Sequence, residues 1–469
     1  MILEGRKTLV LGAGKSGIAS AKFLAKRGAT VALHDKKEIE SWSEAAKSLK
    51  DQKIGLIGGN LPSWLLDQID LVVISPGVPT NTIPARYVDR KDGEVIGEVE
   101  LAYRFMKGRI VGITGSNGKT TTTSLIGEIL KNAGIETQVG GNIGTPLLSL
   151  AESSTEKTWT VAELSSFQLE TIRDFRPNVA VATNVTPNHM DRYDFFVDYA
   201  MAKHRLFMNQ TAEDTAILNA DDETTASWAD NLRARVVLFS TAKELNEGVF
   251  LRGRDLVLRD GAAEKVLTTR DRIFLRGIHN VQNVLAAFAA GIACGASIDS
   301  IRETVANFRG VEHRLEFVEE IAGVKFYNDS KATSVDATLK ALEALAEEPG
   351  KIVLILGGRG KNAPYAPLAD LIEKKVRKLV LIGEDANNIE SQLKSHAEII
   401  RATSMREAVE KSFNAAETGD SVLLAPACAS FDMFGSFEER GKSFKDEVGR
   451  MKEEGEKNDS TLITHHSSL

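Results

Sequence analysis

The chain has 469 residues, of which 42% are hydrophobic and 26% charged, and its net charge is −7. This composition is typical of a globular protein with more than one hydrophobic core, and it argues against a membrane-spanning or nucleic-acid-binding chain. The N-terminus has no signal-peptide pattern, and Cys294 and Cys428 lack the spacing of a metal site or disulfide framework. We therefore expect a cytoplasmic protein of three domains, without membrane insertion or a nucleic-acid partner.

Short runs rich in Val, Ile and Leu, each followed by a helical stretch, predict parallel sheets with crossover helices, and the pattern restarts twice. The predicted strands lie near residues 7–11, 30–34, 54–57 and 71–74, then 109–115, 159–165, 178–184, 215–221 and 235–240, then 324–330, 351–358, 378–383 and 421–426. This predicts an α/β fold with a Rossmann-like domain (1–97), a central P-loop ATPase-type domain with a mostly parallel sheet (98–310), a Rossmann-like domain (311–455) and a flexible tail (456–469).

The first motif, GAGKSG, contains Gly12, Gly14 and Gly17 at a turn between a predicted strand and helix. Such a turn lets a pyrophosphate approach the backbone at a helix N-terminus, and Asp35 follows the next strand, where a ribose-binding acid is expected. The motif favours a nicotinamide-dependent oxidoreductase and close packing of helix on strand about equally. The loop SPGVP (75–79) leaves a strand of the same sheet and could reach the same crevice.

The strongest motif is GITGSNGKTTTT, a glycine turn between a predicted strand and helix. The backbone N–H groups of such a loop bind phosphates, Lys119 neutralises them, and the Thr120 hydroxyl can bind Mg²⁺. A full P-loop pattern would need a glycine at Ile113, so this is a compact G-x-x-G-K-T variant. We predict that ATP is bound by Gly115, Ser116, Asn117, Gly118, Lys119, Thr120 and Thr121.

The segment TGSNGKT resembles the phosphate loop of the muramyl ligases, ATP-dependent amide-forming enzymes of peptidoglycan precursor synthesis that are related to folylpolyglutamate synthase. ELSSFQLE, NVTPNHMDRY, NDSKAT and PACASFD are most similar to the members that add D-glutamate. The resemblance covers nearly the whole chain, through segments in family order: GGNIGTP (140–146), ELSSFQLE (163–170), NVTPNHMDRY (184–193), YAMAKHRLF (199–207), NADD (219–222), HNVQN (279–283), EHR (312–314), NDSKAT (328–333) and PACASFDMF (426–434).

The resemblance implies a ligase that activates the carboxylate of UDP-N-acetylmuramoyl-L-alanine as an acyl phosphate, joins it to D-glutamate, and releases ADP and phosphate. It implies ATP, two Mg²⁺ ions, small-molecule substrates and a monomer. The carboxylate and the γ-phosphate are both anions and repel each other, so metal ions and cationic side chains are needed to lower this repulsion. The resemblance assigns the metal to Thr120, Glu163, His189 and Lys203, and catalysis to Lys119, Glu163, His189, Lys203 and Lys331.

Further ATP contacts are implied in two later segments. Asn280 and Asn283 begin an Ala-rich helix, where helix capping would account for one of them. Arg314 and Lys331 are expected to face phosphate, and Asp329 the ribose. Surface ion pairs are the ordinary alternative for the last three residues.

D-Glutamate must be held by both carboxylates so that its amine can attack the acyl phosphate. The resemblance assigns Thr333 and Lys361 to one carboxylate, and Ser430 and the backbone of Phe437 to the other. Many relatives carry an acidic residue near Lys361, whereas this chain has Arg359 and Gly360 there.

The resemblance places the UDP-sugar, and not a dinucleotide, in the first domain. Lys15 stands at a position that is often apolar or neutral in relatives. The implied contacts are Lys15, Ser16, Asp35, Lys36 and Lys37 around the uracil and diphosphate, Ser75 and Gly77 at the edge of the crevice, and Asn142 and His189 on the sugar-peptide side.

Lys203 matches the family's modified lysine, and the resemblance implies a carbamate formed there with CO₂ as a ligand of the second Mg²⁺. An ammonium beside two metal ions would be repelled, whereas burial and nearby cations favour the neutral amine that reacts with CO₂. The ordinary alternative is a solvated lysine on a helix.

Three other functions stay open. An oxidoreductase would use residues 12–35 but leave GSNGKT without a role, and a nucleotide-gated binding module would not need Glu163, His189 and Asp329 together. Another muramyl or folylpolyglutamate-type ligase would act on a different amino acid or acceptor.

Overall fold

The computed structural model describes residues 1–83, 93–188, 192–275, 277–346, 348–360 and 364–466, with the side chains of all these residues except Ser63 and 455–466. Three sheets follow one another along the chain. The α/β architecture and the mostly parallel central sheet predicted from the sequence are confirmed.

The first sheet is parallel, with the strand order β3-β2-β1-β4-β5, so its crevice opens where the order reverses between β1 and β4. The sequence pattern does not predict β5, because its four residues follow a polar stretch. The elements are β1 (Lys7–Leu11), α1 (Lys15–Lys26), β2 (Thr30–Asp35), α2 (Glu44–Lys47), β3 (Gly55–Gly58), α3 (Ser63–Leu66), β4 (Leu71–Ile74), β5 (Glu94–Gly97) and α4 (Glu98–Tyr103).

The second sheet has nine strands in the order β14-β13-β12-β11-β10-β9-β6-β8-β7, and only β12 to β14 pair in antiparallel fashion. Its elements are β6 (Arg109–Thr114), α5 (Lys119–Asn132), β7 (Thr137–Gly141), α6 (Leu147–Ser153), β8 (Trp159–Glu163), α7 (Ser166–Leu169), β9 (Val179–Ala182), α8 (Phe196–His204), β10 (Thr215–Asn219), α9 (Glu223–Ala226), β11 (Arg235–Ser240), β12 (Gly248–Arg252), β13 (Asp255–Asp260), β14 (Ala263–Thr269), α10 (Ile278–Ala293) and α11 (Ile298–Asn307).

The third sheet has the order β15-β16-β20-β17-β18-β19 and is parallel except for the β15–β16 pair. Its elements are β15 (Glu316–Ile321), β16 (Val324–Asn328), α12 (Val335–Leu345), β17 (Ile352–Gly357), α13 (Ala369–Lys375), β18 (Val376–Ile382), α14 (Ala386–Leu393), β19 (Glu398–Arg401), α15 (Met405–Ala415), β20 (Ser421–Leu424) and α16 (Phe437–His466).

The chain forms two compact units, residues 1–273 with 279–307, and residues 274–278 with 308–469. The first unit contains the first two sheets, and the division of this unit at residue 97 stays a prediction. Among the described residues, no helix combines the length and the apolar character that crossing a membrane requires.

A buried carboxylate on α4 anchors the segment between the first two sheets. Glu100 is fully buried, and its Oε2 accepts hydrogen bonds from the backbone N–H groups of Arg173 (2.8 Å), Asp174 (3.0 Å) and Phe175 (3.1 Å). Its Oε1 accepts from Arg104 Nε at 3.0 Å. Buried carboxylates are stable only with such donors, so Glu100 fixes α4 against the second sheet.

Replacement of Glu100 by alanine is expected to lower the free energy of unfolding by about 3 kcal/mol or more, because it leaves three backbone donors and a guanidinium without their acceptor. The urea midpoint of wild type and variant measures this loss. Glu213→Ala is the control, because that side chain is 89% exposed and pairs with Arg176 only at 3.6 Å. Equal midpoints for the two variants would show that Glu100 is not an anchor.

Candidate active site

The phosphate loop joins β6 to α5 at the carboxyl edge of the second sheet. Gly115 and Gly118 have φ angles of 145° and 81°. A Cβ at these positions would lie 1.9 Å from Thr183 Oγ1 and 2.3 Å from Asn283 Oδ1. Side chains there would strain the backbone and collide with neighbours, so both glycines are required for this turn.

Polar contacts hold the phosphate loop in place. Ser116 Oγ donates to the carbonyl of Thr186 at 2.9 Å and lies 3.0 Å from the hydroxyl of Tyr199. The backbone N–H of Asn117 donates to Asn184 Oδ1 at 2.9 Å. The segment after β9 therefore supports the loop from one side and α8 from another.

Two lysines meet at one carbonyl of the loop. Lys119 Nζ donates to the carbonyls of Gly115 (2.8 Å) and Ser116 (2.9 Å), and Lys203 Nζ donates to the carbonyl of Gly115 at 2.8 Å. Burial, together with the positive charge of Lys119, lowers the pKa of Lys203 well below its ordinary value, and the charge of Glu163 opposes this shift. Lys203 is only 2% exposed, so the alternative of a solvated lysine is wrong.

Glu163 is a buried carboxylate at the end of β8 with one unsatisfied oxygen. Its Oε1 accepts from Asn142 Nδ2 at 2.9 Å, whereas its Oε2 has no hydrogen-bond partner among the described residues. Such an oxygen is costly, and a bound cation would supply the missing partner. Glu163 and the buried hydroxyl of Thr120 therefore fit an Mg²⁺ site.

The described part of the chain contains no group of three or more His, Cys, Asp or Glu side chains that could hold a metal ion. The predicted ligand set instead combines a hydroxyl, a carboxylate and a modified lysine with His189, which lies outside the described residues.

Helix α10 packs its asparagines against the helix that follows the phosphate loop. Asn283 Oδ1 accepts from Thr122 Oγ1 at 3.2 Å, and Asn283 Nδ2 donates to Asn280 Oδ1 at 3.1 Å. Both asparagines lie inside α10, so N-capping of this helix is not their role. Thr121 is half-buried in the first turn of α5.

The crevice of the first sheet brings together the residues predicted for the UDP-sugar. Burial works to raise the pKa of Asp35, but hydrogen bonds from the N–H groups of Ala13 (2.9 Å) and Lys37 (3.0 Å) outweigh it and hold the pKa below its ordinary value. Ser75 is buried, and its Oγ donates to the Gly12 carbonyl at 3.4 Å. At the same edge, the exposed residues are Lys15, Lys36, Lys37 and Gly77, and Ser16 is half-buried.

In the second unit, the charged residues predicted for ATP lie together. Burial raises the pKa of Asp329 to about 7, opposed by the charge of Arg314, by a hydrogen bond from the N–H of Leu315 and by the charge of Lys331. Lys331 Nζ lies 5.2 Å from the ring centroid of Phe437. Asp329 is thus a half-buried carboxyl beside two cationic side chains.

Arg440 joins two of the predicted substrate loops within the second unit. Its side chain is 1% exposed, and it donates from Nε to Ser330 Oγ (2.9 Å) and from Nη1 to the Cys428 carbonyl (3.1 Å). Ser330 Oγ in turn donates to the carbonyl of Phe437 at 2.8 Å. The NDSKAT loop, the buried Ser430 of the PACAS loop and the start of α16 are therefore held as one group.

The structure describes the other residues predicted to bind D-glutamate only in part. Thr333 is half-buried, and its N–H donates to the Lys331 carbonyl at 2.8 Å. Lys361 lies outside the described residues. Arg359, the departure from the family pattern, pairs with Glu384 at 2.9 Å on the surface.

Two contact residues escape the sequence analysis. Tyr199 lies on the same helical face as Lys203, four residues before it, and this spacing could have identified it. Arg440 lies on a charged amphipathic helix, where an arginine is ordinarily solvated, so no sequence signal marks it as buried.

Comparison with known proteins extends these observations along the chain. Three family models match: a Mur ligase MurD-like N-terminal domain at residues 6–97, a Mur ligase middle domain at 113–291 and a Mur ligase glutamate ligase domain at 313–428. A UDP-N-acetylmuramoylalanine–D-glutamate ligase of Koribacter versatilis is 46% identical, with 97% of this chain and 100% of the relative covered. One from Acidobacterium capsulatum is 48% identical, with 96% and 97% covered.

The chain belongs to the Mur ligase family. Mur ligases use ATP and Mg²⁺, in agreement with the phosphate loop and the unpaired oxygen of Glu163. A solved pseudomurein peptide ligase type C from Methanothermus fervidus is 19% identical, with a TM-score of 0.58 over 95% of this chain and all of that one. This likeness shows a shared Mur ligase fold.

Proposed function

We propose that this Mur ligase adds D-glutamate to UDP-N-acetylmuramoyl-L-alanine through an acyl phosphate and releases ADP and phosphate. The observation that carries the proposal is the group of Lys119, Lys203 and Glu163 around the phosphate loop. The amines in this group can neutralise a triphosphate, and the unsatisfied carboxylate oxygen can bind one of the cations that accompany it. The names of relatives that match over nearly their full length support D-glutamate as the amino acid.

The nucleotide and metal assignments follow from the same group. Two bound Mg²⁺ ions would reduce the repulsion between the substrate carboxylate and the γ-phosphate. Lys119 Nζ would exchange its loop carbonyls for phosphate oxygens. With a pKa near 7, Asp329 can both accept from and donate to ribose hydroxyls. The proposed ligands are Thr120, Glu163, His189 and Lys203 for the metal, and the phosphate loop, Asn280, Asn283, Arg314 and Asp329 for ATP.

Each substrate is proposed to occupy its own domain. The UDP-sugar would lie in the crevice of residues 1–97, where hydrogen bonds from backbone N–H groups keep the carboxyl of Asp35 ionised. Asn142 would be contributed by the central domain (98–310). D-Glutamate would lie in the C-terminal domain (311–455), with its amine directed to the acyl phosphate and Lys331 near the developing charge. The proposed D-glutamate contacts are Thr333, Lys361, Ser430 and the backbone of Phe437.

We also propose that Lys203 carries a carbamate. The neutral Nζ attacks the carbon of CO₂, and a nitrogen–carbon bond forms as one C=O π bond breaks and its electron pair moves to the oxygen. One proton leaves the nitrogen for solvent. The product keeps one N–H, so the hydrogen bond to the Gly115 carbonyl can persist while the new carboxylate serves as a metal ligand. Burial and the neighbouring charge of Lys119 favour the reactive neutral amine.

Phosphate release by the purified protein is expected only when ATP, Mg²⁺, UDP-N-acetylmuramoyl-L-alanine and D-glutamate are all present, because the amide forms from an acyl phosphate. A coupled phosphate assay with each component omitted in turn measures this requirement. L-Glutamate and D-aspartate serve as matched amino-acid controls. Equal rates with another amino acid would identify a different Mur ligase, and ATP binding without turnover would favour a binding module.

Reduction of a nicotinamide cofactor would instead identify an oxidoreductase. We place the protein in the cytoplasm as a monomer with small-molecule substrates, in accord with its two free, buried cysteines. Sedimentation at micromolar concentration tests the monomer.

A further inference from the structure

Glu98 is a second buried carboxyl on α4, two residues before Glu100, but its surroundings are different. It is 2% exposed, and its Oε1 accepts one hydrogen bond, from the backbone N–H of Leu148 at 2.9 Å. Leu148 lies in the first turn of α6, whose N-cap residue, Pro146, provides no side-chain acceptor. Glu98 therefore holds the start of α6, directly after the GGNIGTP loop that carries Asn142.

Glu98 also lines a pocket beneath the SPGVP loop. The pocket is a narrow crevice without room for a water molecule, and it is bounded by Ser75 and Val78 on one side and by Phe167 and Gln168 on the other. Glu98 thus contacts the start of α6, directly after the GGNIGTP loop, and lines a crevice whose other walls belong to the SPGVP loop and the ELSSFQLE segment. Both loops carry residues proposed for the UDP-sugar.

No cation accompanies this carboxyl among the described residues that line the pocket. Burial raises the pKa of Glu98 to about 7, and the hydrogen bond from Leu148 only partly opposes the shift. The charged groups on the elements packed against Glu98 each have their own partner: Glu100 with Arg104, Glu152 with Lys26, and Glu170 with Arg192.

We propose that Glu98 is a positioning residue of the UDP-sugar site that acts in its neutral form, so that binding of the UDP-sugar is coupled to uptake of a proton by this carboxyl. The inference rests on the proposed function for the identity of the ligand. A neutral carboxyl still accepts from Leu148 through its carbonyl oxygen.

The reason for the coupling is electrostatic. The diphosphate of the UDP-sugar would bring negative charge to the SPGVP loop, which shares with Glu98 a pocket whose described lining contains no cation. The guanidinium of Arg192 contacts the walls of this pocket at Val78 and Phe167 and is paired with Glu170. That charge disfavours the ionised form of Glu98 and raises its pKa further. Above pH 7 the free protein must therefore take a proton from solvent in order to bind, and its affinity for the UDP-sugar falls.

Calorimetry of UDP-N-acetylmuramoyl-L-alanine binding at pH 8, in two buffers with different ionisation enthalpies, measures the protons taken up. Wild type is expected to take up a proton, approaching one for each bound molecule. Its Kd should rise above pH 7 by up to about tenfold for each pH unit. Glu98→Gln keeps the acceptor for Leu148 but cannot ionise, so it should show no uptake from this site and a flat Kd between pH 7 and 9.

Glu152→Gln is the control, because Glu152 is an exposed carboxylate on α6, the helix whose start Glu98 holds, and has Lys26 as its partner. It should keep the proton uptake of wild type. Glu98→Ala removes the acceptor as well and should weaken UDP-sugar binding about tenfold or more while binding of an ATP analogue is unchanged.

Several outcomes would overturn the inference. They are wild-type binding without proton uptake, the same uptake in Glu98→Gln as in wild type, or equal losses of UDP-sugar and ATP-analogue affinity in Glu98→Ala, which would indicate a general structural role. Failure of wild type to bind the UDP-sugar at any pH, with ATP-analogue binding intact, would instead refute the proposed function.

Discussion

Replacement of Lys119 by alanine is expected to lower the rate of phosphate release by about 10²–10³-fold, or about 3–4 kcal/mol in the barrier. Lys119 Nζ already lies over the phosphate loop, on the carbonyls of Gly115 and Ser116. A fixed positive charge there is needed most when negative charge moves between phosphate oxygens during transfer. The loss should therefore fall mainly on kcat measured with all substrates saturating.

Lys131→Ala is the control for this variant, because Lys131 is an exposed lysine in the last turn of the same helix. It removes the same charge from α5 at the opposite end and should leave kcat unchanged. Circular dichroism of both variants checks that α5 is intact. If Lys119→Ala kept activity within tenfold of wild type, the assignment of this loop to the phosphates of ATP would be wrong.

The fold can be predicted from the sequence where local chemistry determines the structure. Strand runs such as those of β6, β8 and β17 are short, apolar and buried on both faces, so they stand out without any tertiary information. The phosphate loop is equally local, because the left-handed turn at Gly118 requires glycine. The three-sheet α/β fold and the place of the loop between β6 and α5 could therefore be predicted.

The strands that the sequence does not predict depend on partners that are distant in the sequence. The strands β12 to β14 contain charged residues on a partly exposed antiparallel extension, and β7 is a half-exposed edge strand that ends in two glycines. Such strands lack the continuous apolar run of a buried parallel strand. Their pairing is set by the neighbouring strand and not by their own composition.

The state of the site residues also escapes the sequence. Nothing in YAMAKHRLF marks Lys203 as buried, since a lysine followed by histidine and arginine is typical of a solvated helix face. Its burial results from the packing of α8 beneath the phosphate loop, where it reaches the Gly115 carbonyl. The unpaired Oε2 of Glu163 is likewise a property of the folded chain. The resemblance to a family identified these residues, and their roles stay predictions.

Lys203→Ala is expected to lose about 100-fold or more in the rate of phosphate release, because it removes a proposed metal ligand from the centre of the site. The carbamate hypothesis makes a sharper prediction than loss alone. A small carboxylate such as acetate should enter the space left by the side chain and restore part of the activity, since it supplies the anion that the metal lacks. Methylammonium should not restore activity.

These two additives distinguish a carbamate on Lys203 from an unmodified lysine. If the ammonium of Lys203 were the active group, methylammonium would restore activity and acetate would not. The same hypothesis requires that wild type lose activity after rigorous removal of CO₂ and regain it with bicarbonate, whereas Lys203→Ala should not respond to bicarbonate in this way. Lys243→Ala, a change at an exposed lysine of the same unit, is the control for nonspecific effects of the additives. Full activity of Lys203→Ala without additive would contradict any catalytic role for this lysine.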